Sequence, residues 1–144
     1  MSTKEKRHAI DSNVYRDVRF INFMKKNKDL FDIYIPSVVY LEVGYFFLNR
    51  GISIKGYEKD IRKFNGKVLK WDSIDTKLVL EYAFGEKAVL PFRDHFRDFL
   101  IGAQCIKEKI DLITYNTRHF AWCKGIKIIT PREFTKNYRS WKTS

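Results

Sequence analysis

Cysteine is scarce in this chain: two in 144 residues, Cys105 and Cys123, in different predicted elements and without C-x-x-C spacing. No disulfide framework can be read from them; both are ordinary core or surface thiols, and the setting expected is reducing and cytoplasmic. Long apolar runs are missing too. Nothing approaches the roughly 18–20 residues that span a membrane. Met1–Ile10 has Lys and Arg but not the apolar stretch of a secretory signal. There is no internal repeat, low-complexity segment or linker. Acidic residues are in deficit, with 17 Asp and Glu against 28 Lys and Arg, a net charge of +11. Such an excess argues for an anionic partner. Nucleic acid comes first, because Lys and Arg gain affinity for phosphates through counterion release. Plain solubility is the ordinary alternative.

What is present is globular. A chain of 144 residues, 44% hydrophobic and 16% aromatic, supports one domain with a substantial core and is short for two. The core is expected over residues 7–134, with a basic tail at 135–144 carrying Lys136, Arg139 and Lys142 around Tyr138 and Trp141. Met1–Lys6 reads as a frayed end. Strands are predicted at Arg7–Ile10, Asp32–Ile35, Lys67–Trp71, Asp111–Thr114 and Gly125–Ile129. Between them, apolar residues at helical spacing predict helices over Val14–Asn27, Val38–Asn49, Lys55–Asn65 and Ser73–Phe84. Another runs from Phe92 toward Ile110, with Phe99, Ile101, Ala103, Ile106 and Ile110 on its inner side. Short helical pieces follow from His119 and after Pro131. Strands alternating with helices give a three-layer α/β/α sandwich on a mostly parallel, five-stranded sheet.

Four polar positions stand out by context. Asp11 ends the first strand, and Glu42 lies in the helix after the second. Asp98 is on the helix entering the fourth strand, and Asn116 follows that strand. Right-handed crossovers put all strand ends on one side of the sheet, where open parallel sheets bind ligands. Taken singly, each has an ordinary role: Asp11 as a cap, Glu42 and Asp98 as solvated helix charges, Asn116 as a turn former. Glu42 and Asp98 sit among apolar neighbours, however, where an unpaired charge is expensive. Hard oxygen ligands converging in one pocket suit Mg²⁺ or Mn²⁺. Asp94 is four residues before Asp98 and projects from the same helix face.

These residues resemble the PIN-domain ribonucleases, a family that includes the VapC-type toxins of toxin–antitoxin pairs. The resemblance runs from Ala9 to Phe134. Its carriers are Ile10-Asp11-Ser12-Asn13, Glu42 within Val39–Val43, and the run from Asp98 through Gly102 to Ala103. Leu112-Ile113-Thr114-Tyr115-Asn116 with Phe120 follows, and Ile128–Pro131 with Phe134 closes the set. It implies a single PIN-like domain in which Asp11, Glu42 and Asp98 are catalytic, metal-binding acids. Ser12, Asn13 and Thr114 are implied as supporting polar groups. Asn116 is implied as the fourth catalytic and metal-binding residue, standing where the family most often has aspartate, so the site is one charge short, a charge that Asp94 could restore unless it pairs with Arg93 or Arg97. The activity implied is hydrolysis of RNA phosphodiesters with Mg²⁺ or Mn²⁺.

Arg93, Arg97 and Arg118 lie beside the acids in sequence and are candidates for RNA phosphate contacts; pairing with a neighbouring acid or facing solvent are the alternatives. Tyr15, Tyr115 and Trp122 could stack on bases or belong to the core. Two rivals remain: a metal-free enzyme using His95 and His119 as acid and base, and a PIN scaffold that binds RNA or a partner protein without cutting. A toxin would have a small antitoxin partner. The consecutive Tyr45, Phe46, Phe47 and Leu48 cannot all be buried equally by one helix orientation, which suggests a homodimer face or a covering by the helix Lys55–Asn65.

Overall fold

The computed structural model describes residues 7–143, with side chains described through Tyr138. The frayed end expected at Met1–Lys6 and the side chains of Arg139, Trp141 and Lys142 lie outside the described residues. Strands β1 (Arg7–Ile10), β2 (Asp32–Ile35), β3 (Lys67–Val68), β4 (Asp111–Ile113) and β5 (Ile128–Ile129) form one sheet in the order β3-β2-β1-β4-β5. Every pairing is parallel. The chain therefore winds outward from β1 through β2 to β3, then re-enters on the other side of β1 with β4. The topological switch point, where ligands of open α/β sheets bind, falls between β1 and β4.

Seven helices flank the sheet among the described residues: α1 (Ser12–Tyr15), α2 (Val18–Lys26), α3 (Ser37–Asn49), α4 (Ile54–Arg62), α5 (Ser73–Gly85), α6 (Phe92–Glu108) and α7 (Pro131–Thr143). The expected α/β/α sandwich forms, with four local departures. The single helix expected over Val14–Asn27 is two, because Asp17 caps a new start by accepting the Phe20 amide at 3.3 Å. Only Lys67–Val68 of the predicted third strand pairs, since Leu69 contributes just its amide, to Ile35 O. The stretch expected as a basic tail continues α7 to Thr143, with Tyr138 buried against Phe23 and Phe31. Helical geometry in α6 breaks at His95 (φ −122°, ψ 19°).

The core follows from the pattern of the strands. Ile10, Ile33, Ile35, Leu112 and Ile113 are fully buried, as expected of strands covered on both faces. Phe20, Phe23, Phe31, Phe134 and Tyr138 pack edge to face in one aromatic cluster; Phe99, Trp122 and Tyr82 form another. Burial of each such ring contributes about 1.5–3 kcal/mol by area alone. No helix among the described residues is long and apolar enough to cross a membrane.

Two contacts position α6, the helix that carries Asp98. Buried Gln104 accepts the Ser37 amide and donates to Ser37 Oγ, both at 2.8 Å, and Ser37 Oγ donates to Leu69 O. The start of α3 is thereby tied to the middle of α6. Gly102 lies beneath the Trp122 indole so closely that a β-carbon there would stand 2.6 Å from the ring. Gly102→Ala is expected to displace Trp122 and destabilise the fold by about 1–3 kcal/mol through overpacking. Urea denaturation followed by tryptophan fluorescence checks it, the native emission shifting as well as the midpoint.

Candidate active site

The site is built on the switch point. Asp11 follows β1, and its amide donates to Ile113 O at 3.0 Å, so the carboxylate starts from the seam between the two central strands. It is fully buried. Its Oδ1 accepts the Ser12 amide at 2.7 Å and its Oδ2 accepts the Thr114 hydroxyl at 2.8 Å. A buried carboxylate is tolerated only with such partners. Thr114 Oγ1 in turn accepts the Asn116 amide at 3.0 Å, which sets the turn after β4. Asn13 Oδ1 accepts the Tyr115 amide at 3.5 Å, a looser tie between the same two strand ends. Glu42 reaches the site from α3, and Asp98 from α6 just beyond the break at His95.

The three acids meet at one guanidinium. Arg97 donates through Nη2 to Asp11 Oδ1 at 2.6 Å and to Glu42 Oε1 at 2.7 Å. Its Nε donates to Glu42 Oε2 at 2.8 Å, its Nη1 to Asp98 Oδ1 at 3.1 Å, and Nη2 also reaches Ser12 Oγ at 3.1 Å. The sequence-predicted acids Asp11, Glu42 and Asp98 are therefore brought together around a positive group. Asp11 and Asp98 are nearly inaccessible, whereas about a third of Glu42 and of Arg97 is exposed. Partial burial alone would weaken the charge on Arg97. Its hydrogen bonds to Glu42 and the charge of Asp11 more than offset it and hold the guanidinium firmly protonated.

The other predicted residues are placed differently. Asn116 is exposed, and its side-chain amide makes no hydrogen bond among the described residues. Asp94, Arg93 and Arg118 are also exposed and form no ion pair among the described residues. Tyr115 is exposed with its hydroxyl on Asp17, which raises its pKa to about 12 through that hydrogen bond, helped by desolvation. Tyr15 and Trp122 are core. Cys123 is buried beside the site; desolvation, then the charge of Asp98, pushes its thiol up to about 12, so it is no thiolate ligand at neutral pH.

Sequence reasoning left Arg97 open between a phosphate contact, a neighbouring acid and solvent, and did not single it out as the group that completes the acid cluster. It is adjacent to Asp98 in the chain, and neighbours on a helix point about 100° apart, so spacing alone gave no reason for both to enter one cleft.

No family model matches the sequence, nor does any curated protein. Solved structures do. VapBC2 from Rickettsia felis bound to a DNA fragment from its promoter is similar, with 19% identity and a TM-score of 0.59 over 85% of this chain and 97% of that one. VapBC-1 from nontypeable Haemophilus influenzae is similar at 14% identity and a TM-score of 0.59, over 87% and 98% of the two chains. The fold is a VapC-like PIN fold.

Within this PIN fold the donor set suits a hard divalent cation: three carboxylates already converge on one cation, all by oxygen. Arg97 takes that position, so any cation bound by the three acids would have to compete with the guanidinium. Arg97→Met is expected to remove the competitor and leave the buried Asp11 unpaired. In chelator its stability should drop by about 1–3 kcal/mol, less than for a fully buried pair because Arg97 is partly exposed. Mn²⁺ should raise its melting temperature more than it raises the parent's, and thermal denaturation with and without Mn²⁺ measures both.

Proposed function

We propose that this protein is a Mg²⁺- or Mn²⁺-dependent endoribonuclease of the PIN type, acting as the toxin of a toxin–antitoxin pair. The observation that carries this reading is the convergence of Asp11, Glu42 and Asp98 at the switch point of a PIN-like sheet. The fold is that of toxin–antitoxin structures, and the net charge of +11 suits an RNA substrate.

In this reading Asp11, Glu42 and Asp98 hold the cation once Arg97 has swung out toward the cleft mouth. A divalent ion held by these three acids would supply neutralisation of phosphate charge and acidification of water. Thr114 and the Ser12 amide keep Asp11 oriented throughout. Freed from the acids, Arg97 has a guanidinium fork suited to a phosphate, which joins its ion-pair role to the RNA contact expected of it. Exposed Arg93 and Arg118 are further phosphate contacts. Asn116 is close in the chain to the pocket and offers an amide oxygen without charge. A groove of about 700 Å³ is lined by Asn13, Arg16, Phe46 and Arg50 together with the Lys25–Asp60 ion pair, and its two arginines are further candidates for phosphate contacts.

The same structure favours one rival. Because Arg97 already satisfies the acids, the chain could serve as a scaffold that binds RNA or a partner protein without cutting. Partner surfaces are consistent with either reading. On α3, Leu41, Tyr45 and Leu48 form an exposed stripe, while Phe47 is covered by Tyr57 and Phe46 lies between Arg16 and Arg50. The stripe is the proposed face for a second copy, and an antitoxin tail is proposed to enter the acidic cleft.

RNA cleavage should appear with Mg²⁺ or Mn²⁺, stop in chelator, and vanish in Asp98→Asn while circular dichroism stays native. Binding without cleavage at any metal concentration favours the scaffold, and cleavage that survives chelator favours a histidine acid–base enzyme. RNA affinity should also fall log-linearly with salt, because several phosphates are contacted; a flat salt response removes RNA as the partner of the basic surface. Asn116→Asp adds a charge to the pocket and should tighten Mg²⁺ binding by calorimetry. With one carboxylate fewer, the acid pocket is expected to hold at most one Mg²⁺ in the absence of RNA, and two tight Mg²⁺ sites in the parent would contradict this.

A further inference from the structure

Asp98 faces two ways. Its Oδ1 accepts from Arg97 inside the acid cleft, while its Oδ2 points to two imidazoles on the other side. His95 Nδ1 stands 3.6 Å from that oxygen and His119 Nδ1 stands 3.3 Å from it. The two rings meet edge to face with centroids 5.6 Å apart. One ligand atom from each of the three residues lies within 4.8 Å of the others.

We propose that His95, Asp98 and His119 form a second cation site, for a first-row transition metal of the Zn²⁺ class. Ligands on a tetrahedral ion with bonds of about 2.1 Å stand about 3.4 Å apart. The two spacings to Asp98 Oδ2 already match that value, so only the two imidazoles must close on each other. His95 Nδ1 is the second observation: it is buried away from solvent and has no hydrogen-bond partner. A buried ring nitrogen without a partner is costly, and a metal lone-pair bond is one way to satisfy it. Two imidazoles and one carboxylate select Zn²⁺ or Co²⁺ over Mg²⁺, which prefers oxygen and its own waters.

The elements that present these ligands are braced for it. The break in α6 at His95 turns that ring back toward Asp98, three residues on. His119 rides a 3-10 turn, Thr117–Phe120, held at one end by its own amide on Asn116 O at 3.0 Å. At the other, Trp122 Nε1 donates to His119 O at 2.9 Å. The side chain of His119 is about half exposed, 49%, which leaves room for water or an anionic ligand in a fourth position. Because Asp98 belongs to both sites, a cation on the histidines draws on the carboxylate that Arg97 also uses. Filling this site should loosen Arg97.

The inference does not depend on RNA cleavage: its test reads metal binding, and either reading can fail while the other stands. Purified apo-protein is titrated with Co²⁺ and followed by its visible absorption, then by Zn²⁺ competition and calorimetry. The parent should bind one Co²⁺ in a low-coordinate, intensely absorbing site that Zn²⁺ displaces and excess Mg²⁺ does not. Losing even an outer partner costs about 10–100-fold in metal affinity, so His119→Ala should lose at least that. Its partly exposed position keeps the fold intact, which apo-protein melting verifies. Glu42→Gln, which alters only the acid cleft, should keep the band. No Co²⁺ bound by the parent, a band unchanged in His119→Ala, or a band lost in Glu42→Gln overturns the proposal.

Discussion

The Arg97 guanidinium is the contact on which this molecule depends. Three carboxylates from the end of β1, from α3 and from α6 would repel one another in a cleft where Asp11 and Asp98 are almost wholly removed from water. One fork of N–H donors satisfies all three and joins three elements distant in sequence. Such a contact specifies as much as it stabilises. Desolvating four charges offsets most of their attraction, yet removing one member leaves its partners buried and unpaired. Three carboxylates against one guanidinium leave a formal charge of about −2, an attractive field for a further cation.

Around that contact the scaffold limits how far each acid can move. Thr114 and the Ser12 amide hold both oxygens of Asp11. Gln104 locks the start of α3 to α6, so Glu42 and Asp98 keep a common frame. Gly102 lets Trp122 approach α6 closely, and Trp122 in turn holds the turn carrying His119. On the far side of α6, Lys107 neutralises the fully buried Asp75 at 2.8 Å and anchors α5. Glu42 and Arg97 are the more exposed members of the cluster, the arrangement wanted if one cation is to be exchanged for another without opening the core.

Much of this was legible in the residues. Short, mostly apolar strands such as Asp32–Ile35 and Asp111–Ile113, alternating with helices, implied a mostly parallel sheet. Ser73 marked a helix start closely, and Asp11, Glu42 and Asp98 were identifiable as acids at strand ends or among apolar neighbours. The break between α1 and α2 was harder, because Val14 to Met24 keeps a helical period and only the Asp17 cap interrupts it. The extension of α7 through Thr143 was hidden by its charge, since Lys136 and Arg139 read as a tail until Tyr138 found Phe23 and Phe31.

The sequence by itself determined the sheet, its direction and the three acids, because period, strand composition and crossover handedness act locally or through rules common to all chains. Only tertiary structure decided what those acids touch. Arg93, Arg97 and Arg118 are the same residue in similarly charged surroundings, and nothing local distinguishes the one that turns inward. Nor does spacing reveal that His119, on a turn beyond β4, comes within 3.3 Å of Asp98. Side-chain direction at a meeting of three elements is set by the space those elements leave, and that space exists only once the sheet has closed around it.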